Sequence, residues 1–400
     1  MKAGNLETLK TVLDGIDTLL GQNVHPRRHR LQALDLRTLH KSFWTVWAGD
    51  KADACSQVVK RRSKTQERGP RIGAMQPLQP LKVFIDIYLK PRALGACLSY
   101  LFLWVERRKG LLQLGCKKLK ISTMAIQNMV KVLEMLDLDS MEEVEVCCTW
   151  KLSTLAIFAP YLGQMRNLRK FLLSHICEPA SISPEEKRKL VSQFTSQFLN
   201  LGCLQELFLD SVSFLKGQMD QLLGCLEAPL ETLSLTDCQL SESDLKSLTQ
   251  CSGIRQLKHL NLSGVILTNV NPELLRVLLE RVAATLKSLD LENCRIVDSQ
   301  LSVLLPALSR CSQLTTFNYL KNPISVALLE LLLCHTAELS CLSLEMYSTP
   351  WEIYSAQGAS HHRRLEQLRE ELSRTMKPPK RTKTVWFSII PCPPCGNQAI

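Results

Sequence analysis

Residues 230–240 read LETLSLTDCQL, with leucine at 230, 233, 235 and 240 and a cysteine at 238. The same spacing returns at Leu204/Leu207/Leu209/Val212, at Leu257/Leu260/Leu262/Val265 and at Leu286/Leu289/Leu291/Cys294. Leu314/Phe317/Tyr319/Asn322 and Leu339/Leu342/Leu344/Tyr347 follow it more loosely. Weaker copies stand upstream at Leu168/Phe171/Leu173, Met141/Val144/Val146 and Leu31/Leu34/Leu36. From Leu204 onward the starts lie 26, 27, 29, 28 and 25 residues apart. That period, with this consensus, marks leucine-rich repeats.

The spacing has a direct physical cause. In L-x-L a strand puts both leucines on one face, because side chains alternate along it. The leucine three residues earlier enters the same core from the turn. The ninth position, Cys or Asn, turns inward where the strand ends and serves loop backbone that burial would leave unsatisfied. Between strands the pattern becomes helical. SESDLKSLTQC offers Ser241 or Ser243 as N-cap and puts Leu245 and Leu248 on one face. NPELLRVLLERV pairs an Asn271 cap with Pro272 in the first helical position, and DSQLSVLLPALSRC begins at Asp298. Each buried leucine contributes roughly 1.5–3 kcal/mol, which offsets ordering entropy only when neighbouring units stack. The expected fold is an α/β leucine-rich-repeat solenoid, a horseshoe with a parallel inner sheet, outer helices and a cap at each end. Its expected division is an N-terminal cap with an atypical first repeat and basic linker at 1–82, the solenoid at 83–348 and a C-terminal cap at 349–400.

Composition agrees with this reading and narrows the function. Of 400 residues, 45% are hydrophobic, enough for a large core. The sixteen cysteines are scattered through leucine-rich segments and the N-terminal stretch has no apolar signal region. They read as buried thiols in a reducing compartment, which places the protein in the cytoplasm. No apolar run approaches the roughly 18 residues that span a bilayer. The net charge of +11 comes from short runs at 27–30, 60–71, 107–109 and 377–383. These lack interleaved aromatics for base stacking, so nucleic acid is not the expected partner. The run at 60–71 is compatible with nuclear import.

Alternation also names the face that the sheet leaves open. Glu206, Phe208, Asp210, Thr232, Ser234, His259, Asn261, Asp290, Glu292, Asn318 and Glu345 flank the strand leucines and are expected on the concave surface. Solenoids use that surface to bind proteins. The carboxylates of Asp210, Asp290, Glu292 and Glu345 are expected to form a band that attracts a basic partner. No nucleophile stands beside His259, so the chain reads as a non-enzyme without a cofactor. Other signals have structural explanations. L-x-x-L-L strings at 275–279, 301–305, 328–332 and 329–333 sit on helices whose leucines the core needs. Cys392 and Cys395 form half a zinc site, with only Cys147–Cys148 or His361–His362 conspicuous for the other half. TKTVWFSIIPC reads as one more strand.

Several long strings resemble the PRAME family of leucine-rich-repeat proteins. They include EVEVCCTWKLSTLAIFAPYLGQMRNLRK at 143–170, FTSQFLNLGCLQELFLDSVSFLKGQMDQLLGCLEAPLE at 194–231, LPALSRCSQLTTF at 305–317, VFIDIYLK at 83–90 and PCPPCG at 391–396. The resemblance implies a horseshoe fold and a role as substrate-recognition subunit of a cullin-2 RING ubiquitin ligase, contacted through elongin. It further implies negative regulation of apoptosis, differentiation and transcription, including retinoic acid receptor signalling, and support of proliferation. The other class of function compatible with the face is a ligase-independent inhibitor or corepressor scaffold. Relatives usually carry further N-terminal residues with an adaptor box of the form Ser/Thr/Pro-Leu-x-x-x-Cys-x-x-x-aliphatic. The nearest match in this chain is Leu199, Cys203 and Leu207, with Phe198 in the leading position.

Overall fold

The computed structural model describes residues 4–21, 33–37, 80–89, 96–108, 110–122, 126–179, 181–353, 366–368, 370 and 384–388. Its strands form one parallel sheet. They are β1 Ala33–Asp35, β2 Leu81–Leu89, β3 Leu112–Ile121, β4 Leu136–Asp137, β5 Glu143–Cys147, β6 Lys170–Ser174 and β7 Glu206–Asp210. β8 Thr232–Thr236, β9 His259–Asn261, β10 Ser288–Asp290, β11 Thr316–Tyr319, β12 Leu344–Ser348 and β13 Thr384–Ser388 complete it. Strand order follows chain order, with the short β4 beside β3. The helices are α1 Gly4–Gly21, α2 Ala96–Glu106, α3 Ile126–Leu133, α4 Leu152–Leu162, α5 Pro184–Thr195, α6 Met219–Gly224, α7 Glu242–Gln250, α8 Pro272–Val282, α9 Asp298–Leu308 and α10 Val326–Thr336. The architecture is the expected leucine-rich-repeat solenoid. From β5 to β11 each strand is followed by a loop and a helix, and α4 to α10 pack in succession behind the sheet.

The repeat leucines do what their spacing requires. Leu207, Leu233, Leu260 and Leu289 stand in register across β7 to β10 and are all buried. Leu204, Leu230, Leu257 and Leu286 are fully buried behind them. An aromatic group thickens the core where α5 meets the sheet: Phe194 lies 5.4 Å from Phe198 and 5.9 Å from Phe214, between ring centroids. The ninth position also behaves as its chemistry demands. Asn322 Nδ2 donates to the Leu291 carbonyl at 2.7 Å, and its Oδ1 accepts from the Ile296 N–H at 3.1 Å. Cys294 Sγ donates to the Leu262 carbonyl at 3.0 Å and, more weakly, lies 3.6 Å from the Glu292 carbonyl, while Cys238 reaches the Leu209 carbonyl at 3.5 Å.

Past β6 to β11 the backbone turns left-handed. His175, Ser211, Asp237, Asn293 and Lys321 have φ of 59°, 54°, 50°, 57° and 57°, and Gly264 has 76°. The first four and Gly264 each donate an N–H to the next repeat, as Ser211 does to the Thr236 carbonyl at 2.9 Å and Asn293 to Leu320 at 2.9 Å. The turn thus extends the ladder beyond the strand. Gly264 is required twice over, since a Cβ there would lie 1.9 Å from Asp237 Oδ1. Helix starts follow the cap chemistry. Ser241, rather than Ser243, caps α7 and forms a capping box with Asp244. Asn271 caps α8 with Pro272 in the first turn, and Ser325 caps α10.

The last regular strand departs from the expected register. β12 pairs with β11 so that Glu345 stands beside Phe317 and Tyr347 beside Tyr319, while Leu344 stands beside Thr316. Glu345 is therefore fully buried, not on the concave face, and Leu344 and Met346 point out half-exposed. Leu342, not Leu339, occupies the turn position, 28 residues after Leu314. The rings decide the register. Tyr347 packs edge-on against Phe317 at 5.9 Å and lies 6.2 Å from Phe387 of β13. A one-residue slip would expel a whole tyrosine to recover one leucine. Burial and the nearby Glu345 carboxyl push the Tyr347 hydroxyl well above its ordinary pKa.

At the N-terminal end, α1 lies against α2. Asp17 accepts from Trp104 Nε1 at 3.1 Å and pairs with Arg108, whose guanidinium sits 4.8 Å over the Trp104 ring. The basic runs at 27–30, 60–71 and 377–383, His361–His362 and the Cys392/Cys395 pair lie outside the described residues.

Candidate protein-binding face

The inner surface is a grid whose columns follow the strands and whose rows follow the parallel register. One row links Glu206, Thr232, His259, Ser288 and Thr316. The next links Phe208, Ser234, Asn261, Asp290 and Asn318. Asp210 and Glu292 stand on the rim beyond. Ten of the eleven expected residues therefore share this face, and Glu345 alone does not. His259 is exposed, and Glu206, Phe208, Asp210, Thr232, Asn261, Asp290 and Glu292 are half-buried. Ser234 and Asn318 are covered by their neighbours: Ser234 Oγ bonds Thr236 Oγ1 at 3.0 Å, and Asn318 Nδ2 donates to Asp290 and Glu292 at 3.1 Å each.

The expected band of carboxylates is broken. Asp210 on β7 and Asp290 on β10 are three strands apart, about 14 Å at the parallel spacing. The strands between them carry hydroxyls, an amide and His259. Glu292 is paired with Lys321 at 2.7 Å, and Glu345 belongs to the core. Burial pushes the Asp290 carboxyl above its usual value, against hydrogen bonds from the Glu292 N–H and Asn318. Burial acts on Glu292 in the same sense, but Lys321 and Asn318 hydrogen bonds hold it below its usual value.

Two further stretches of the face were not named from the repeat pattern. On β3 to β6 the surface is an alternating-charge ladder: Lys118 pairs with Glu143 at 2.8 Å, Lys120 with Glu145 at 2.7 Å, and Lys170 lies 5.2 Å over the Phe208 ring. On β11 to β13 it becomes apolar through Leu320, Leu344, Met346 and Trp386. The repeat of L-x-x-x-x-Y at 314–319 and 342–347 was the signal in the sequence for the second stretch.

Most leucines of the competing motifs are absorbed by the core. In the L-x-x-L-L strings, Leu275, Leu278, Leu279, Leu301, Leu304 and Leu305 are all buried, as are Leu328, Leu329, Leu332 and Leu333, whereas Leu331 of the 328–332 string is exposed. In the nearest match to the adaptor box, Phe198 and Leu207 are buried in the repeat core, whereas Leu199 and Cys203 are exposed. Among the described residues no group of His, Cys, Asp and Glu could hold a metal, and no helix is long and apolar enough to cross a membrane.

A parallel-sheet leucine-rich-repeat solenoid with a varied, open inner face is a protein-interaction repeat module. The sequence matches the PRAME C-terminal domain over residues 81–400 and the PRAME N-terminal domain over residues 1–44. It is 52% identical to PRAME family member 12 of Homo sapiens over 399 residues, spanning 100% of this chain and 82% of that protein. It is 51% identical to human PRAME family member 8, over 100% of this chain and 83% of the relative. Against human PRAME family member 10 the identity is 42% over 99% of this chain and 83% of the relative. The chain belongs to the PRAME family.

Proposed function

We propose that this protein is the substrate-recognition subunit of a cullin-2 RING ubiquitin ligase and holds its substrate on the concave face. The reading is supported most by that face. Phe208, His259 and Asn261 are presented at fixed spacing on strands whose opposite side is locked into the core. Through its substrates the protein acts as a negative regulator of apoptosis, differentiation and transcription, including retinoic acid receptor signalling, in the cytoplasm and nucleus. The division into an N-terminal cap at 1–82, a solenoid at 83–348 and a C-terminal cap at 349–400 belongs to the same proposal.

Immunoprecipitation of the full chain, probed for elongin and cullin-2, tests the ligase role. Recovery of both, with a substrate whose recovery falls on the charge change His259→Glu, is the expected result. Recovery of the substrate without either ligase component refutes the ligase role and leaves an inhibitor or corepressor scaffold.

A further inference from the structure

The C-terminal third of the concave face differs from the rest in both charge and polarity. Asp290 is half-buried, accepts from the Glu292 N–H at 2.9 Å and from Asn318 Nδ2 at 3.1 Å, and has no ion-pair partner among the described residues. Glu292 beside it already has Lys321. Burial raises the Asp290 pKa, and no cation is among the groups that act on it. Only hydrogen-bond dipoles favour its charge while the Glu292 carboxylate opposes it, so a partner's cation would stabilise it.

Next to it the face turns apolar. Asp290 is in register with Asn318, Asn318 with Met346, and Met346 with Trp386. Leu344 and Met346 are half-buried on β12, and Trp386 is 63% exposed on β13. A strand tryptophan left open on a surface built for contact is the side chain most often found at the energetic centre of an interface. On β3 to β5 the lysines and glutamates already neutralise one another.

We propose that this end of the face binds a partner segment that places a lysine or arginine on Asp290 and a large apolar side chain on Met346 and Trp386. The inference rests on the concave-face reading above and deepens it by naming the chemistry of the segment. Charge complementarity selects the occupant. A segment with an acidic residue in the same place would set a further negative charge against Asp290 and Glu292. Strand spacing sets the separation. Two and three strands at about 4.8 Å put the anchors about 10 and 14 Å apart, which three or four residues of extended chain span at about 3.3 Å each. The recognised pattern is therefore a basic residue followed, three or four positions on, by a large apolar one, or the reverse direction.

Fluorescence polarisation of the full chain with labelled synthetic peptides tests this. Three peptides of equal length carry Arg-x-x-x-Trp, Glu-x-x-x-Trp or Arg-x-x-x-Ser on the same flanks. The first is expected to bind about tenfold or more tightly than either of the others, a difference of ~1.4 kcal/mol. Asp290→Asn should remove the preference for Arg over Glu and Trp386→Ala that for Trp over Ser, each checked for unchanged melting, while Leu103→Ser on the exposed side of α2 should keep both. Equal binding of the three peptides, no binding of the first at about 1 mM, or an unchanged preference in both variants overturns the proposal. The substrate recovered with the ligase separates the two readings. Loss of substrate with His259→Glu but not with Trp386→Ala refutes this site and leaves the concave face as the binding surface. Retention with every face variant refutes both.

Discussion

The repeats at β10 and β12 share one register but fill it with different side chains, and the difference shows what holds a strand in this sheet. In the first, Leu286, Leu289 and Leu291 enter the core and Asp290 faces out. In the second, Leu342, Glu345 and Tyr347 enter and Leu344 faces out. A carboxylic acid occupies in β12 the place that leucine occupies in β10. The sheet tolerates it because Tyr347 and its ring contacts come with it, and because parallel pairing to β11 carries the register over from the preceding repeat. Consensus leucines specify a repeat where several agree, and stacking specifies it where they do not.

The largest test of the comparison exchanges the two chemistries. Leu289→Asp puts a carboxylate among hydrocarbon with no hydrogen-bonding tyrosine nearby and should cost about 4 kcal/mol or more. Glu345→Leu should be nearly neutral or stabilising, within about 1 kcal/mol of the parent, because a buried polar group is replaced by an apolar one of similar size. Urea unfolding measures both. A loss in Glu345→Leu comparable to that in Leu289→Asp would mean that partners hold the Glu345 carboxyl and that it stabilises the core rather than being tolerated there.

A smaller effect sharpens the register itself. Leu342→Ala should cost about 2–5 kcal/mol, as core leucine truncations do. Leu344→Ala should cost less than about 1 kcal/mol, because the side chain is already half in water. The opposite ranking in thermal melting would restore the register read from L-x-x-L-x-L.

The smallest effect is shared by both repeats and concerns pH. Burial pushes the Cys116 thiol up to about 12 and the Cys238 and Cys311 thiols up to about 11, from an ordinary 9.0. Cys294 of the β10 repeat and Tyr347 of the β12 repeat are raised in the same sense. Below about pH 9 both the folded and unfolded chains keep these protons, so the contribution is fully present. Between about 9 and 11 the unfolded chain releases them first, so stability falls as pH rises. Melting temperature should be flat from about pH 7 to 9 and then decline. A rise over that alkaline range would show that the thiols are not buried.

The repeat period, the strand–loop–helix unit, the core leucines from 204 to 291, the cap at Asn271, a serine cap at 241 or 243 and the rows of the concave face were all legible in the amino-acid sequence. Each depends on periodicities of two and of about 3.6 that local chemistry imposes. The inward turn of Asn322 was legible for the same reason, since a buried loop carbonyl needs a donor. Three things were decided only by the tertiary structure. Glu345 went inside because the packing of Phe317, Tyr347 and Phe387 across three strands outweighed one carboxyl group, and no local window contains that contact. Glu292 lost its free charge to Lys321, whose approach depends on the left-handed turn after β11. Trp386 became the neighbour of Met346 because β13 closes the sheet from nearly forty residues away, and adjacency across parallel strands is a property of the stack rather than of the chain.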